Sequence, residues 1–147
     1  MSTAIHRRVE ACRTGGDPTL IARMPSGWAV MGDPQVLAGY CLLLPDPVVP
    51  HFNALTPAAQ AGFLADMARL GEVVLETTGA LRINYAMFGN LEPALHAHVF
   101  PRYVDEPPEL RSAHPWAYDW ASARRFDPAR DGTLLAALRE RLVVGNS

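Results

Sequence analysis

Residues 89–103 read GNLEPALHAHVFPRY, and the rest of the chain is best understood from this stretch. Gly89-Asn90 is a turn-forming pair, and residues 95–103 alternate in the manner of a strand. His96 and His98 are two residues apart on that strand, so both imidazoles project from one face, about 7 Å apart at the backbone. The stretch therefore predicts a turn followed by a strand that carries two histidines on the same side.

The segments upstream supply further strands. Residues 81–88 have a strand-like composition, and with residues 95–103 they predict a second hairpin. Apolar runs at 28–31 and 36–44, separated by a Gly-Asp-Pro break, predict a first antiparallel hairpin. The segment 1–25 is mixed and polar, and it indicates only a short helix or an arm.

Two helices are predicted from apolar spacing and from capping residues. Thr56 and Pro57 have the identities expected of an N-cap and a first helical residue, and Gly79 that of a C-terminal stop. Between them, apolar residues recur every three or four positions. A second amphipathic helix is indicated after Asp131. We therefore expect a single α+β domain over residues 1–147, with an antiparallel sheet of about five strands, the 56–78 helix on one face and a C-terminal helix.

The composition excludes several classes of function. A formal net charge of −2 gives no basic field for holding a nucleic acid. All 13 basic residues are arginine, which excludes chemistry that needs a lysine amine. Cys12 and Cys41 are far apart in the sequence and form no Cys-x-x-Cys pair, and no apolar run reaches the length of a membrane span. We expect a cytoplasmic protein with no nucleic-acid partner and no membrane segment.

The histidine pair allows two kinds of chemistry. At neutral pH one imidazole can attack an electrophile while its neighbour donates a hydrogen bond, as phosphoryl or nucleotidyl transfer through a phosphoramidate intermediate requires. His96 and His98 could instead bind a metal ion. A cupin-type metal site places a glutamate four or five residues after the second histidine, where this chain has Arg102 and Tyr103, and it needs an all-β pattern. Transfer chemistry is therefore favoured over metal binding.

Residues 93–102, PALHAHVFPR, resemble the signature of the histidine triad superfamily with its following Pro-Arg. The resemblance extends to residues 39–45, GYCLLLP, to the loop at 53–57 and to the long helix that follows. It covers residues 28–103, which leaves 104–147 as a C-terminal extension with a helix. It implies a histidine triad fold and a homodimer.

The resemblance also implies roles for individual residues. The central histidine of the family is the nucleophile and the last one contacts the phosphate, which assigns these roles to His96 and His98. The candidate substrate-binding residues are Tyr40, Asn84, Gly89, Asn90 and Arg102. For Asn90 a turn-forming role is equally favoured, Asn84 could instead form a cross-strand hydrogen bond, and Arg102 could be an exposed residue at the strand end.

This chain departs from the family pattern at two positions. Ala94 stands where the first triad histidine is found, and Tyr40 stands where the family commonly has another histidine. A missing donor in a buried site is worth roughly 1 to 3 kcal/mol, which implies reduced activity. The small volume of alanine indicates room for an imidazole at position 94.

The function implied by the resemblance is hydrolysis or nucleotidyl transfer at the α-phosphorus of a nucleotide conjugate. Dinucleoside polyphosphates, as in the diadenosine polyphosphate hydrolases, and nucleoside phosphoramidates are the implied substrates. The covalent nucleotidyl-histidine intermediate needs no metal and no cofactor. The alternative is a catalytically weakened nucleotide-binding protein that acts as a sensor or as a partner-binding subunit.

The remaining histidines and tryptophans have simpler interpretations. The histidines in polar or proline-rich segments are expected on the surface: His6, His51 and His114. Trp116 and Trp120 are four residues apart, and we expect them to pack in the core or at a subunit contact.

Overall fold

A five-stranded antiparallel sheet organises residues 2–144, the part of the chain that the computed structural model describes. Its strands are β1 (Leu20–Met24), β2 (Gly27–Met31), β3 (Cys41–Pro45), β4 (Arg82–Ala86) and β5 (Ala97–Arg102). Their order across the sheet is β1-β2-β3-β5-β4, and every neighbouring pair is antiparallel. The predicted α+β fold with about five strands is confirmed.

Four α-helices accompany the sheet in the described part of the chain. They are α1 (Ala4–Arg13), α2 (Pro57–Thr78), the single turn α3 (Pro108–Arg111) and α4 (Pro128–Val144). The predicted ends of α2 are confirmed. The Thr56 hydroxyl accepts a hydrogen bond from the Ala59 amide at 3.2 Å, and Gly79 ends the helix in the left-handed conformation at φ 69°.

The structure corrects the predicted bounds of several elements. The strand predicted at 36–44 begins only at Cys41, because the Gln35 side chain bonds to backbone groups of Gly32, Gly39 and Tyr40 and holds this segment as a loop. Strand β1 falls within the segment 1–25, for which only a helix or an arm was predicted. The strand predicted at 95–103 begins at Ala97, so the preceding residues lie outside the ladder.

The two faces of the sheet are covered by different parts of the chain. Helices α2 and α4 pack on one face, where alternate residues of β5, Ala97 and Val99, join the larger apolar cluster. On the other face, Phe100 joins a second cluster that includes residues of α1 and is flanked by Tyr118 and Trp120 of the extension. Because side chains alternate along a strand, His98 lies on this second face with Phe100.

Packing of α2 against the sheet is expected to account for a large share of the stability. Leu70 is fully buried in the α2 interface, so Leu70→Ala should lower the free energy of unfolding by about 2–5 kcal/mol. Leu64 lies on the same helix and is 39% exposed, so Leu64→Ala should change the free energy of unfolding by less than about 0.5 kcal/mol. Denaturant unfolding measures both, and equal losses would contradict this placement of the helix.

Candidate functional site

The structure brings His96 and His98 together at the start of β5. The two ring centroids are 4.9 Å apart, and the ring planes are inclined by 75°. His98 lies within the ladder, opposite Leu42 of β3 and Ala86 of β4, whereas His96 precedes the first paired residue. The sheet therefore fixes His98 directly, and another contact has to orient His96.

That contact is a hydrogen bond to the backbone. Nδ1 of His96 lies 2.8 Å from the carbonyl oxygen of Ala94. A carbonyl oxygen can only accept, so Nδ1 carries the proton and Nε2 of the uncharged ring has a free lone pair. Position 94 thus orients the neighbouring imidazole through its backbone, which an alanine supplies as well as a histidine.

His98 is held by Tyr40. The Tyr40 hydroxyl lies 2.6 Å from Nδ1 of His98, and the Tyr40 ring stacks on Phe100 with centroids 4.5 Å apart. Burial, reinforced by the nearby His96, lowers the pKa of His98 to about 4. Burial likewise raises the pKa of Tyr40, so its hydroxyl stays protonated. With that hydroxyl as donor to Nδ1, uncharged His98 carries its own proton on Nε2.

A large cavity of about 960 Å³ opens in front of the histidine pair. Its walls include five aromatic side chains, those of Tyr85, Phe88, Phe100, Trp116 and Trp120. Its polar side chains are Asn84, Asn90, Glu92, His96, His98 and His114. Three of the predicted binding residues, Asn84, Gly89 and Asn90, line this cavity. A volume of this size accommodates a small organic ligand.

The structure contradicts the prediction that Arg102 binds substrate or lies exposed at the strand end. Arg102 is buried and bonds to both carboxylate oxygens of Glu106 at 2.9–3.2 Å. It also donates to Oδ1 of Asn84 at 2.8 Å and to the carbonyls of Ala113 and Leu110 at 2.7 and 3.0 Å. All three guanidinium nitrogens are thereby engaged, and Arg102 fastens the extension to the sheet.

Glu106 is the other half of this anchor. Burial alone would raise its pKa, but hydrogen bonds from Arg102, Tyr118 and the Tyr103 amide lower it below its usual value. The carboxylate therefore remains ionised against Arg102, and the pair is a buried ion pair with its hydrogen bonds satisfied.

Tyr40 and Ala94 have surroundings that the sequence did not predict. Tyr40, predicted to bind substrate, does not line the cavity and instead contacts His98 from behind. Ala94 is fully buried in the second apolar cluster, and it also lines a smaller pocket of about 180 Å³ together with His51 and His96. Helix α1 belongs to the same cluster and is fastened to the neighbouring turn, because the Ala4 amide donates to Glu92 at 3.1 Å.

The extension forms a part of the cavity that was not predicted from the sequence. His114 is exposed, as predicted, but it lines the cavity. Trp116 and Trp120 stack with centroids 5.6 Å apart, and Trp116 also meets the His98 ring edge-on at 5.0 Å. The four-residue spacing indicated that the two tryptophans meet, but no signal in the sequence placed them above the histidine pair.

Structural comparison identifies the fold. A histidine triad protein from Marinobacter aquaeolei VT8 is similar with a TM-score of 0.74 and 18% identity, over 97% of this chain and 98% of that protein. A histidine triad protein from Bradyrhizobium japonicum has a TM-score of 0.73 and 23% identity, over 88% of this chain and 94% of that protein. A hypothetical histidine triad nucleotide-binding protein from Sulfolobus tokodaii strain 7 has a TM-score of 0.72 and 13% identity, over 92% of this chain and 90% of that protein.

The chain thus has the histidine triad fold, as the His-Ala-His motif predicted. No family model matches the sequence, and no curated protein matches it. Within residues 2–144, no three or more His, Cys, Asp or Glu side chains are grouped to hold a metal ion. In the same residues, none of the helices combines the length and apolarity needed to cross a membrane.

The Arg102 anchor is expected to be essential for stability. Arg102→Met leaves the Glu106 carboxylate buried without its partner, which should lower the free energy of unfolding by about 3–5 kcal/mol. Arg125 pairs with Asp33 at the surface, so the matched variant Arg125→Met should cost less than about 1 kcal/mol. Chemical denaturation measures both. Similar losses would show that burial of the Arg102 pair has no special importance.

His98 is expected to stay uncharged until the pH falls to about 4. Between its ordinary pKa of 6.5 and this lowered value, the unfolded chain binds more protons than the folded one at this residue. The contribution of His98 to stability therefore declines as the pH falls through that interval. Nitrogen NMR of the ring follows the titration, with His98→Gln used for assignment. Protonation near the ordinary value would contradict the buried environment.

Proposed function

We propose that this chain binds a nucleotide conjugate and hydrolyses it, or transfers its nucleotidyl group, through a covalent intermediate on His96. The observation that carries the proposal is the hydrogen bond from Nδ1 of His96 to the Ala94 carbonyl. This hydrogen bond leaves the Nε2 lone pair of His96 free. His98 and a cavity large enough for a nucleotide lie next to the His96 ring. An oriented, uncharged imidazole is a competent nucleophile toward phosphorus.

The covalent step uses groups of this chain alone. Nε2 of His96 forms a bond to the α-phosphorus. The bond from phosphorus to the leaving group breaks, and the leaving group takes its electron pair. The phosphorylated imidazole gains positive charge, and the Ala94 carbonyl stabilises that charge through Nδ1–H. Nε2–H of His98 donates to a phosphate oxygen, where charge accumulates in the transition state. Water or another acceptor then bonds to phosphorus and gives up its proton to solvent, and the electron pair of the phosphorus–nitrogen bond returns to Nε2 of His96.

The cavity offers suitable surfaces for the nucleoside part of the substrate. Phe88 and Trp116 meet edge-on with centroids 4.9 Å apart, and both rings are partly exposed at the cavity wall. Exposed aromatic faces of this kind stack on a base. Asn90 and the Gly89 turn lie at the same cavity and are the proposed phosphate contacts. The nucleotide-binding description of the Sulfolobus tokodaii protein agrees with this assignment.

One observation favours the alternative of a nucleotide-binding sensor or partner-binding subunit. Ala94 is buried in an apolar cluster, so the first histidine of the triad is replaced by core packing. A protein that only binds nucleotides has no need for an oriented nucleophile, and retention of His96 with its backbone hydrogen bond therefore favours catalysis.

The decisive experiment is detection of the covalent intermediate. The protein is mixed with diadenosine tetraphosphate or adenosine 5′-phosphoramidate, quenched in the pre-steady state and analysed by intact mass. We expect an adenylyl adduct that maps to His96. His96→Ala should abolish the adduct and lower turnover by about 10⁴-fold or more. His6→Gln, at the start of α1 and outside the large cavity, should keep both.

Other outcomes separate the two functions. Binding of both nucleotides without an adduct or turnover would support the sensor, and turnover by His96→Ala at the wild-type rate would exclude His96 as the nucleophile. The homodimer implied by the resemblance stays a prediction. The free edge of β4, where Leu81 and Tyr85 are exposed, is a suitable surface for it.

A further inference from the structure

A third imidazole faces the cavity from outside the triad motif. His114 belongs to the C-terminal extension, and it lines the cavity that His96 and His98 also line. Its side chain is exposed, whereas that of His98 is half-buried. His114 takes no part in forming the bond between His96 and phosphorus.

His98, and the Tyr40 side chain that contacts it, are poor proton donors for a leaving group at His96. His98 is uncharged at neutral pH because its ring is buried, and Tyr40 keeps its proton for the same reason. Ala94 has no titratable group. An aryl-oxide or phosphate leaving group departs as an anion, but an amine must be protonated as its bond to phosphorus breaks.

The backbone at His114 is held in place while its ring is free. Arg102 donates to the carbonyl of Ala113, the residue directly before His114, at 2.7 Å. The Ala117 amide bonds to the His114 carbonyl at 3.0 Å, and Pro115 is buried. The buried ion pair of Arg102 thus fixes the position of His114 relative to β5, the strand that carries His98.

We propose that His114 is the general acid and base of this site, and that it adapts the enzyme to phosphoramidate substrates with amine leaving groups. The inference rests on the proposed function, because it needs His96 as the nucleophile. His114 supplies, from the C-terminal extension, an imidazole for proton transfer in addition to those of His96 and His98.

The proton and electron pairs balance over two steps. In the first, Nε2 of His96 bonds to phosphorus, and the electron pair of the phosphorus–nitrogen bond goes to the leaving amine, which takes a proton from the imidazolium of His114. In the second, a water oxygen bonds to phosphorus and gives a proton to His114, while the phosphorus–Nε2 pair returns to His96. The products are the nucleoside monophosphate and the free amine, and His114 regains its proton.

The test compares two leaving groups at one site. The probes are an adenosine 5′-phosphoramidate with an alkylamine leaving group and the 4-nitrophenyl ester of adenosine 5′-monophosphate. His114→Gln should lower kcat/KM for the phosphoramidate by about 10²-fold or more and leave that for the aryl ester nearly unchanged. His6→Gln, at the start of α1 and outside the large cavity, should change neither, because glutamine suits the capping position that His6 occupies. Added imidazole should restore part of the phosphoramidate activity of His114→Ala.

Each other outcome overturns the inference. Equal losses for both substrates would show that His114 only supports the cavity wall, and no loss for the phosphoramidate would show that protons come from elsewhere. In both cases a His96 adduct formed from the aryl ester would leave the proposed function intact. Absence of that adduct in the wild-type protein would overturn the proposed function together with this inference.

Discussion

The buried ion pair between Arg102 and Glu106 is the interaction on which the shape of the candidate site depends. Arg102 ends β5, and its guanidinium joins the Glu106 carboxylate, the amide oxygen of Asn84 and two carbonyls of the extension. A buried charge is tolerated only where partners satisfy it, so the extension has one favourable position over the sheet. In that position it places His114 and Trp116 in the cavity wall.

The chemistry of the histidine pair follows from how each side of it is covered. Behind His98, Tyr40 and Phe100 close the sheet face and exclude water, which keeps the imidazole uncharged and fixes one of its nitrogens. In front of it, toward β4, the cavity is open. His96 precedes the ladder and is oriented by a backbone carbonyl instead of a neighbouring strand. Two adjacent histidines therefore differ in burial, in hydrogen bonding and in role.

The predictions for Arg102 and Tyr40 differ from the structure for one physical reason. Both residues were predicted to bind substrate because their types and positions allow that role. Their actual partners, Glu106 with the extension and His98 on a neighbouring strand, are selected by packing. The segment before β3 was predicted to lie in the sheet, but the Gln35 side chain forms hydrogen bonds with backbone groups of this segment and holds it as a loop. None of these contacts produces a periodic pattern of residue types in the sequence.

The sequence by itself determined the features that depend on local geometry. Alternation along β5 placed His96 and His98 together, caps set the ends of α2, and the motif indicated the histidine triad fold. Only the tertiary structure decided that Ala94 is buried, that His98 is uncharged and that His114 faces the cavity. Burial, and the pKa shift that burial causes, depend on side chains from several elements. That environment is a property of the packed chain and not of any one segment.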